Sequence, residues 1–180
     1  MRRIVIVGTS GSGKTTLAKQ LASHLNVPHI ELDAIHWKPN WTPTPTDRLI
    51  EEVRAALDAA PDGWTLCGHY GQLRTLTWAR ADTIIWLDYP MSLIFMRLIK
   101  RTIRQAWTQQ ELWNGNRQRF WWQFMHRDSL FLYVINTWRL RRRDIPKHLR
   151  DPRFAHLRVH HFRIPAELER WKQSIGLAVA

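Results

Sequence analysis

The sequence is poor in cysteine and contains no long apolar run. A single cysteine, Cys67, cannot form a disulfide within the chain and argues weakly for a reducing compartment. The longest apolar stretch, residues 83–96, is interrupted by Asp88 and Pro90 and is well short of the roughly 20 residues that span a bilayer. The apolar residues 4–7 lead directly into a glycine-rich loop, as a strand would, and a secretion signal would not. We therefore expect a cytoplasmic protein without a membrane partner.

Acidic residues are scarce in the second half of the chain. Residues 1–90 contain 9 Lys and Arg against 9 Asp and Glu, whereas residues 91–180 contain 18 against 6 and carry the whole net charge of +12. A basic half favours an acidic ligand, either the phosphates of a nucleotide or nucleic acid, and a solvated basic surface is the alternative. The overall composition, 44% hydrophobic and 23% charged, predicts one globular domain over residues 1–180.

The apolar pattern predicts strands that alternate with helices. A short apolar run typical of a buried parallel strand lies at residues 4–7, and further strands are predicted at residues 29–32, 64–67, 83–87 and 157–162. Helical patterns cover residues 14–26, 46–59 with Thr46 as its cap, 91–104, 117–143 and a closing segment from Pro165. Residues 33–45, rich in proline and tryptophan, are predicted to form a loop. This order predicts a parallel sheet covered by helices on both faces.

Between the first strand and the first helix, GTSGSGKT matches the phosphate-binding pattern G-x-x-x-x-G-K-[ST] at every fixed position. Glycines allow several backbone N–H groups to point at a β-phosphate, and the following helix presents its positive end to the same oxygens. Lys14 is expected to reach the β- and γ-phosphates of ATP, and the Thr15 hydroxyl to bind Mg²⁺. The predicted nucleotide-binding residues are Gly8, Thr9, Ser10, Gly11, Ser12, Gly13, Lys14, Thr15 and Thr16.

Several segments together resemble the adenylate-kinase-like P-loop proteins, and in particular the branch called FlaR-related or DNA topology modulation proteins. They are GTSGSGKTTLAKQLA, ELDAIHW, DTIIWLDYP, RLIKRT and ELWNGNR. The similarity spans nearly the whole chain, and LDAIHW and ELWNGNR are the pieces most particular to this branch. The resemblance implies a P-loop NTPase of nucleoside-kinase type, three-layer α/β/α with a five-stranded parallel sheet. It also implies an acceptor site near the second strand and a helical lid inserted at about residues 105–128.

One position departs from this branch. There the third strand usually ends in an aspartate before Gly-Asn-Tyr, whereas here the run is Cys67-Gly68-His69-Tyr70. The carboxylate that would orient a magnesium-bound water is therefore missing at Cys67. Some small-molecule kinases of this fold also lack it, so the departure weakens the inference of catalysis without excluding it.

Asp33 is the candidate for the acceptor side. It follows the second predicted strand and should lie at the carboxyl edge of the sheet, where open α/β folds bind ligands. A carboxylate there can accept the proton of an acceptor hydroxyl or hold a magnesium-bound water. The alternative is a helix cap or turn residue. His36 and Trp37 would line an acceptor pocket or simply pack the loop.

Arginines in the basic half provide candidates for charge neutralisation. Arg97, Arg101 and Arg104 share one helical face, and the resemblance places this helix before the lid, so we expect Arg97 and Arg101 to contact the transferred group. A solvated face is the alternative. Weaker lid candidates are Arg117 and Arg127. The cluster Arg139, Arg141, Arg142 and Arg143 is predicted to be a solvated helix end, in preference to a nucleic-acid patch.

These observations predict an ATP- and Mg²⁺-dependent phosphotransferase that moves the γ-phosphoryl group to a small acceptor, with a nucleotide among the candidates. Lys14, Asp33, Arg97 and Arg101 are the predicted catalytic residues, and Thr15 is the predicted Mg²⁺ ligand. The alternative is an ATP-binding regulatory protein that contacts DNA, which the basic half and the family name support. The sequence contains no helix-turn-helix or zinc-finger pattern that would favour this alternative.

Overall fold

A computed structural model of the protein describes residues 1–108, 113–116 and 130–177. Its main sheet has five parallel strands: β1 (Arg3–Gly8), β2 (His29–Glu31), β5 (Trp64–Cys67), β6 (Thr83–Leu87) and β7 (Arg158–Phe162). Their order across the sheet is β2-β5-β1-β6-β7. A separate antiparallel hairpin is formed by β3 (Trp37–Lys38) and β4 (Thr42–Pro43). The predicted five-stranded parallel sheet is confirmed.

Seven helices accompany the sheet in the described part of the chain. They are α1 (Lys14–Leu25), α2 (Leu32–His36), α3 (Thr46–Asp58), α4 (Arg74–Arg80), α5 (Met91–Thr108), α6 (Leu130–Leu149) and α7 (Pro165–Ser174). Single 3-10 turns occur at Pro39–Trp41, Gly71–Leu73, Trp113–Gly115 and Pro152–Phe154. Within the described ranges, no helix combines the length and the apolar character needed to cross a membrane.

The central strand β1 is buried on both faces, which explains its continuous apolar run. Val5 and Val7 pack in one core with side chains of α3 and α4, while Ile4 and Ile6 pack in a second core with side chains of α1, α5 and α7. Because successive residues of a strand point to opposite faces, both sets must be apolar. The result is the three-layer α/β/α arrangement that the sequence predicts.

Helix α6 crosses from one of these cores to the other. Its Val134 belongs to the core beside α1 and α5, and its Ile145 belongs to the core beside α3 and α4. The helix continues to Leu149, so the predicted end at Arg143 is wrong. The arginine cluster therefore lies within the helix, on the stretch between the two cores.

Two other sequence predictions need correction or lie outside the described residues. Residues 33–45 are not one loop, because they contain most of α2, the β3–β4 hairpin and a 3-10 turn. Thr46 is the first residue of α3, and Pro45 takes the cap position. Arg117, Arg127 and most of the predicted lid at about residues 105–128 lie outside the described residues.

The Gly68 position predicts a measurable packing constraint. Gly68 has φ +130°, and a Cβ there would lie 2.7 Å from Cβ of Leu32, which is buried in the core. We expect Gly68→Ala to lower the free energy of unfolding by about 2 kcal/mol or more. Gly71→Ala is the control, because a Cβ at Gly71 meets no atom within 4 Å. Urea unfolding of both variants measures the difference, and similar midpoints would contradict the expectation.

Candidate active site

The loop between β1 and α1 is shaped by close backbone contacts. Gly8 has φ +153°, and a Cβ on it would lie 2.6 Å from the carbonyl oxygen of Leu87 on β6. Gly13 occupies the cap position of α1 in a left-handed conformation, and α1 begins at Lys14. The N-terminal end of α1 therefore faces the loop, as in phosphate-binding loops generally.

Lys14 is placed over this loop. Its Nζ donates to the carbonyl oxygen of Thr9 at 3.0 Å. Burial of the amine, followed by the neighbouring positive charge of Arg141, lowers the pKa of Lys14 to about 8, although the Asp33 carboxylate opposes this shift. The amine thus lies near the loop backbone in surroundings that favour an added negative charge.

Thr15 contacts a carboxylate that the sequence analysis did not select. Its Oγ1 donates to Oε1 of Glu31 at 3.1 Å and lies 3.6 Å from Sγ of Cys67. Glu31 ends β2 and is the register partner of Cys67 on β5. Burial raises the pKa of the Cys67 thiol to about 11, so this side chain stays neutral. A carboxylate is thus present on the adjacent strand, in register with Cys67.

The oxygen atoms beside Thr15 fit a magnesium ion. A hydroxyl and a carboxylate are the donors that Mg²⁺ accepts, and Mg²⁺ usually takes its remaining ligands from phosphates and water. Among the described residues there is no group of three or more His, Cys, Asp or Glu side chains that could hold a metal by itself. Thr15 and Glu31 are accordingly the residues that could hold Mg²⁺ beside a nucleotide.

Three guanidinium groups reach the loop from two helices. Arg97 on α5 donates to the carbonyl oxygen of Ser12 at 3.1 Å, and Arg101 lies 3.5 Å from the Ser10 hydroxyl. Arg141 on α6 donates to the carbonyl oxygen of Gly8 at 2.8 Å. The predicted residues Arg97 and Arg101 are therefore beside the loop, whereas Arg104, which shares their helical face, is exposed.

The predicted solvated role of Arg141 is wrong, because α6 carries it across the carboxyl edge of the sheet. Its neighbour Arg142 is anchored by an ion pair of 2.6 Å with Asp88, which follows β6 and is buried. His161 Nε2 lies 3.2 Å from the other oxygen of Asp88. The run of arginines alone does not indicate these contacts, because their partners Gly8 and Asp88 lie 133 and 54 residues earlier in the chain.

Asp33 lies in the first turn of α2 and accepts a hydrogen bond of 2.6 Å from the Tyr70 hydroxyl. Its negative charge opposes the lowering of the pKa of both Lys14 and Arg101 by burial. The structure thus brings Asp33 together with the loop residues, as expected from its position after the second strand. Its role in catalysis stays a prediction.

Aromatic side chains form a wall next to Asp33. The His36 ring lies 4.7 Å, between centroids, from both Tyr70 and Trp37. Trp37 contacts Trp41 at 5.8 Å, and Trp41 contacts Trp113 at 6.3 Å. We call these five residues the acceptor wall. Burial lowers the pKa of His36, which favours its neutral form.

His69 and Arg74 form a polar pair around the 3-10 turn at Gly71–Leu73. His69 Nε2 is 3.4 Å from Nη2 of Arg74. Burial and the charges of Arg141, Arg74 and Lys14 lower the pKa of His69 to about 3, so its imidazole is neutral. Since arginine has only donors, His69 Nε2 accepts and Nδ1 carries the proton. The surroundings of His69 and Arg74 therefore present N–H donors and positive charge.

A cavity of about 290 Å³ adjoins the outer side of the loop. It lies between α1, α5 and α7, and the Arg97 guanidinium stands 5.2 Å from the Tyr89 ring centroid at its border. Its lining includes Ser12, Thr16, Arg97, Pro165, Glu169 and Lys172. Thr16, a predicted nucleotide-binding residue, faces this cavity and not the Thr15–Glu31 side.

A family model described as an AAA domain matches residues 4–117. The chain belongs to this family. The matched range contains the phosphate-binding loop, Glu31, Asp33, and the two arginines of α5 that contact the loop, Arg97 and Arg101. The finer resemblance to the FlaR-related branch stays a prediction.

Relatives and solved structures agree with a P-loop kinase fold. An adenylate kinase from Acidothermus cellulolyticus is 42% identical over 64 residues, which are 36% of this chain and 30% of that enzyme. A sugar kinase from Janibacter sp. HTCC2649 has a TM-score of 0.53 at 20% identity, covering 99% of this chain and 96% of its own. Shikimate kinase from Bacteroides thetaiotaomicron has a TM-score of 0.52 at 21% identity, covering 98% and 99%. Shikimate kinase from Acinetobacter baumannii in complex with shikimate has a TM-score of 0.55 at 12% identity, covering 100% and 96%. At these identities, the structures show the fold alone.

The lowered pKa of Lys14 predicts a proton uptake. Above pH 8 the free amine is mostly neutral, and a bound triphosphate would raise its pKa and restore the charge. We expect binding of Mg-ATP at pH 8.5 to take up roughly half a proton or more per ATP, little at pH 6.5, and to weaken as pH rises through 8. Calorimetry in buffers of different ionisation enthalpy measures this uptake.

The matched control for proton uptake is Lys19→Met, because Lys19 is exposed on α1. This variant should bind Mg-ATP with the same uptake as the unaltered protein. Equal uptake at pH 6.5 and pH 8.5 would show that Lys14 is not the group that titrates on binding.

Proposed function

We propose that the protein is an ATP- and Mg²⁺-dependent phosphotransferase that moves the γ-phosphoryl group to a hydroxyl of a small acceptor. The observation that carries this proposal is the meeting of Lys14, the Thr15–Glu31 pair and Asp33 at one edge of the sheet. The electrostatic interaction of Asp33 with Lys14 supports an acceptor site next to the donor site. The P-loop family and the kinase fold support the same reaction class.

On the donor side, the loop amides and Lys14 would bind the phosphates, and Thr15 and Glu31 would hold Mg²⁺. When bound, this ion would neutralise charge on the phosphate oxygens. Arg97, Arg101 and Arg141 would add fixed positive charge where charge develops during transfer. The cavity beside Arg97 is the place for the base of the nucleotide, since it adjoins the loop.

On the acceptor side, Asp33 would accept the proton of the attacking hydroxyl. The acceptor oxygen bonds to the γ-phosphorus, the bond from that phosphorus to the β,γ-bridging oxygen breaks, and ADP leaves. The hydrogen bond from Tyr70 fixes the orientation of the carboxylate. Because Tyr70 occupies one oxygen, the other is available to the acceptor.

The positive charge around His69 and Arg74 favours an acceptor with an anionic group. N–H donors and positive charge surround His69, where the charges of Arg74 and Arg141 both act. In the described part of the chain, Arg74 makes no contact with the phosphate-binding loop. Nε of Arg74 is buried without a hydrogen-bond partner in the part of the chain that the structure describes. A phosphate or carboxylate on the acceptor would match these groups. A nucleotide acceptor would meet this requirement.

The regulatory alternative loses part of its support. Of the four clustered arginines, Arg141 contacts the loop and Arg142 pairs with Asp88, which leaves Arg139 and Arg143 as exposed residues of that group without these two contacts. A surface of scattered cations binds DNA weakly and loses affinity with salt. We therefore keep the phosphotransferase as the one proposed function.

Glu31 gives the first test of the proposed donor site. Glu31→Gln keeps the shape of the side chain but removes the charge, so we expect the Mg²⁺ concentration needed for half-maximal ATP binding to rise about tenfold. Titration with Mg²⁺ at fixed ATP, followed by thermal shift, measures this change. Glu51→Gln, on the exposed side of α3, should leave the requirement unchanged. A Glu31→Gln protein with an unaltered Mg²⁺ requirement would remove Glu31 from the metal site.

Asp33 gives the test of the proposed chemistry. We expect Asp33→Asn to lower kcat by about a hundredfold or more while leaving ATP affinity nearly unchanged, because the amide cannot accept the hydroxyl proton. The assay is ADP release in a screen of hydroxyl compounds arranged in pairs with and without a phosphate or carboxylate. Asp47→Asn is the control, since Asp47 is exposed on α3. Full activity of Asp33→Asn would contradict the role of Asp33 as the proton acceptor. Phosphorylation restricted to uncharged acceptors would contradict the proposed anionic group on the acceptor.

A further inference from the structure

Two asparagines of the segment ELWNGNR contact the backbone that follows Asp33. Nδ2 of Asn114 donates to the carbonyl oxygens of Ala34 at 2.9 Å and of Trp37 at 2.6 Å. Nδ2 of Asn116 donates to the carbonyl oxygen of Lys38 at 2.9 Å, and its Oδ1 accepts from the N–H of Trp41 at 2.9 Å. We call residues 113–116 the asparagine latch.

The side-chain amides of the latch form hydrogen bonds with backbone groups of the hairpin region, as the backbone of a neighbouring strand would. Asn116 is buried, and both ends of its amide pair with backbone groups of the β3–β4 hairpin region. That hairpin has only two residues in each strand, and an isolated hairpin of this size is unstable in water. Asn114 holds φ at +53°, a conformation that asparagine tolerates better than most residues. The hairpin therefore depends on contacts from outside itself.

The hairpin in turn carries the acceptor wall. Trp37 and His36 are in ring contact, and His36 is in ring contact with Tyr70, whose hydroxyl donates to Asp33. Trp113 of the latch closes the other end of the wall against Trp41. A continuous set of contacts thus joins the latch to the carboxylate of Asp33.

The latch also follows α5 in the chain, and α5 carries Arg97 and Arg101, which contact the phosphate-binding loop. We propose that Asn114 and Asn116 are positioning residues that hold the acceptor wall and thereby align Asp33 with the donor. The inference rests on the proposed function for its catalytic part. Its structural part, that these two amides hold residues 34–41 in place, is independent of any activity.

If Asn114 and Asn116 only stabilised the fold as a whole, their removal would lower the cooperative stability of the domain. None of the latch residues belongs to the two buried cores, which are made by the sheet and the packed helices. Removing the amides should therefore loosen the hairpin without lowering the cooperative stability of the domain by much. A positioning role predicts faster hydrogen exchange in residues 34–41 and a lower kcat/KM for the acceptor. General support of the fold would instead lower the stability of the whole domain.

Three variants remove separate parts of the latch. Asn116→Ala removes both contacts of that amide, whereas Asn116→Asp keeps an oxygen that can accept from the Trp41 N–H and loses the donor to Lys38. Asn114→Gly removes the donor while keeping a residue that adopts positive φ. Asn136→Ala is the matched control, because Asn136 is exposed on α6.

Amide hydrogen exchange of the protein, with Mg-ADP as the ligand, is the first measurement. Exchange of the Trp41 N–H should be at least tenfold faster in Asn116→Ala than in the unaltered protein and near the original rate in Asn116→Asp. Asn114→Gly should speed exchange in residues 34–41, and Asn136→Ala should not. The urea midpoint should stay within the error of the unaltered protein for all four. Unchanged exchange in residues 34–41 for Asn116→Ala and Asn114→Gly overturns the latch.

Kinetics with the acceptor found in the screen is the second measurement. Asn116→Ala and Asn114→Gly should lower kcat/KM for the acceptor about tenfold and leave KM for ATP unchanged. The positioning role is overturned if these two variants exchange faster but have the same kcat/KM for the acceptor as Asn136→Ala. If the unaltered protein phosphorylates no compound, the proposed function fails, whereas the exchange result still decides whether the latch exists.

Discussion

Lys14 and the guanidinium groups of Arg97, Arg101 and Arg141 surround one short loop, where like charges repel and burial weakens their solvation. Each of them is held by an oxygen of the loop: three contact carbonyl groups, and Arg101 approaches a hydroxyl. The nearby carboxylate of Asp33 offsets part of the repulsion, whereas burial, the largest cause, and the charge of Arg141 lower the pKa of Lys14. The remaining positive potential is what an anionic ligand would neutralise. The positions of α1, α5 and α6 all serve this arrangement, because each carries one or two of the four cations.

The sequence allowed the sheet and the phosphate-binding loop to be predicted because both are local patterns. A run of four apolar residues and a fixed glycine–lysine spacing are complete within residues 4–15, and their structure follows from short-range sterics and burial. Asp33 was accessible for a similar reason, since it directly follows a strand whose carboxyl end had to lie at the ligand edge. These predictions needed only the order of the elements along the chain.

Glu31, Arg141 and the latch asparagines were not predicted, because each depends on contacts between distant parts of the chain. Glu31 becomes a neighbour of Thr15 only through the register of β2 on β5. Arg141 reaches Gly8, 133 residues earlier in the chain, because α6 packs in both cores beside the sheet. The asparagines were recognised as part of a motif, but their partners lie more than 70 residues earlier in the chain. Local periodicity contains no information on such pairings.

Glu31, the carboxylate proposed to hold Mg²⁺, lies on β2, whereas the related proteins usually carry an aspartate at the end of the third strand. In the described part of the chain, β5 is enclosed between two strands, whereas β2 is an edge strand of three residues that pairs with β5. Edge strands open at lower free energy than the centre of a sheet. In this protein a group proposed to hold Mg²⁺ therefore lies on one of the less protected strands, while Lys14 and Thr15 are fixed by the central strand and its helix. If Glu31 holds Mg²⁺ as proposed, local opening of β2 would weaken metal binding while the loop and α1 still bind the nucleotide.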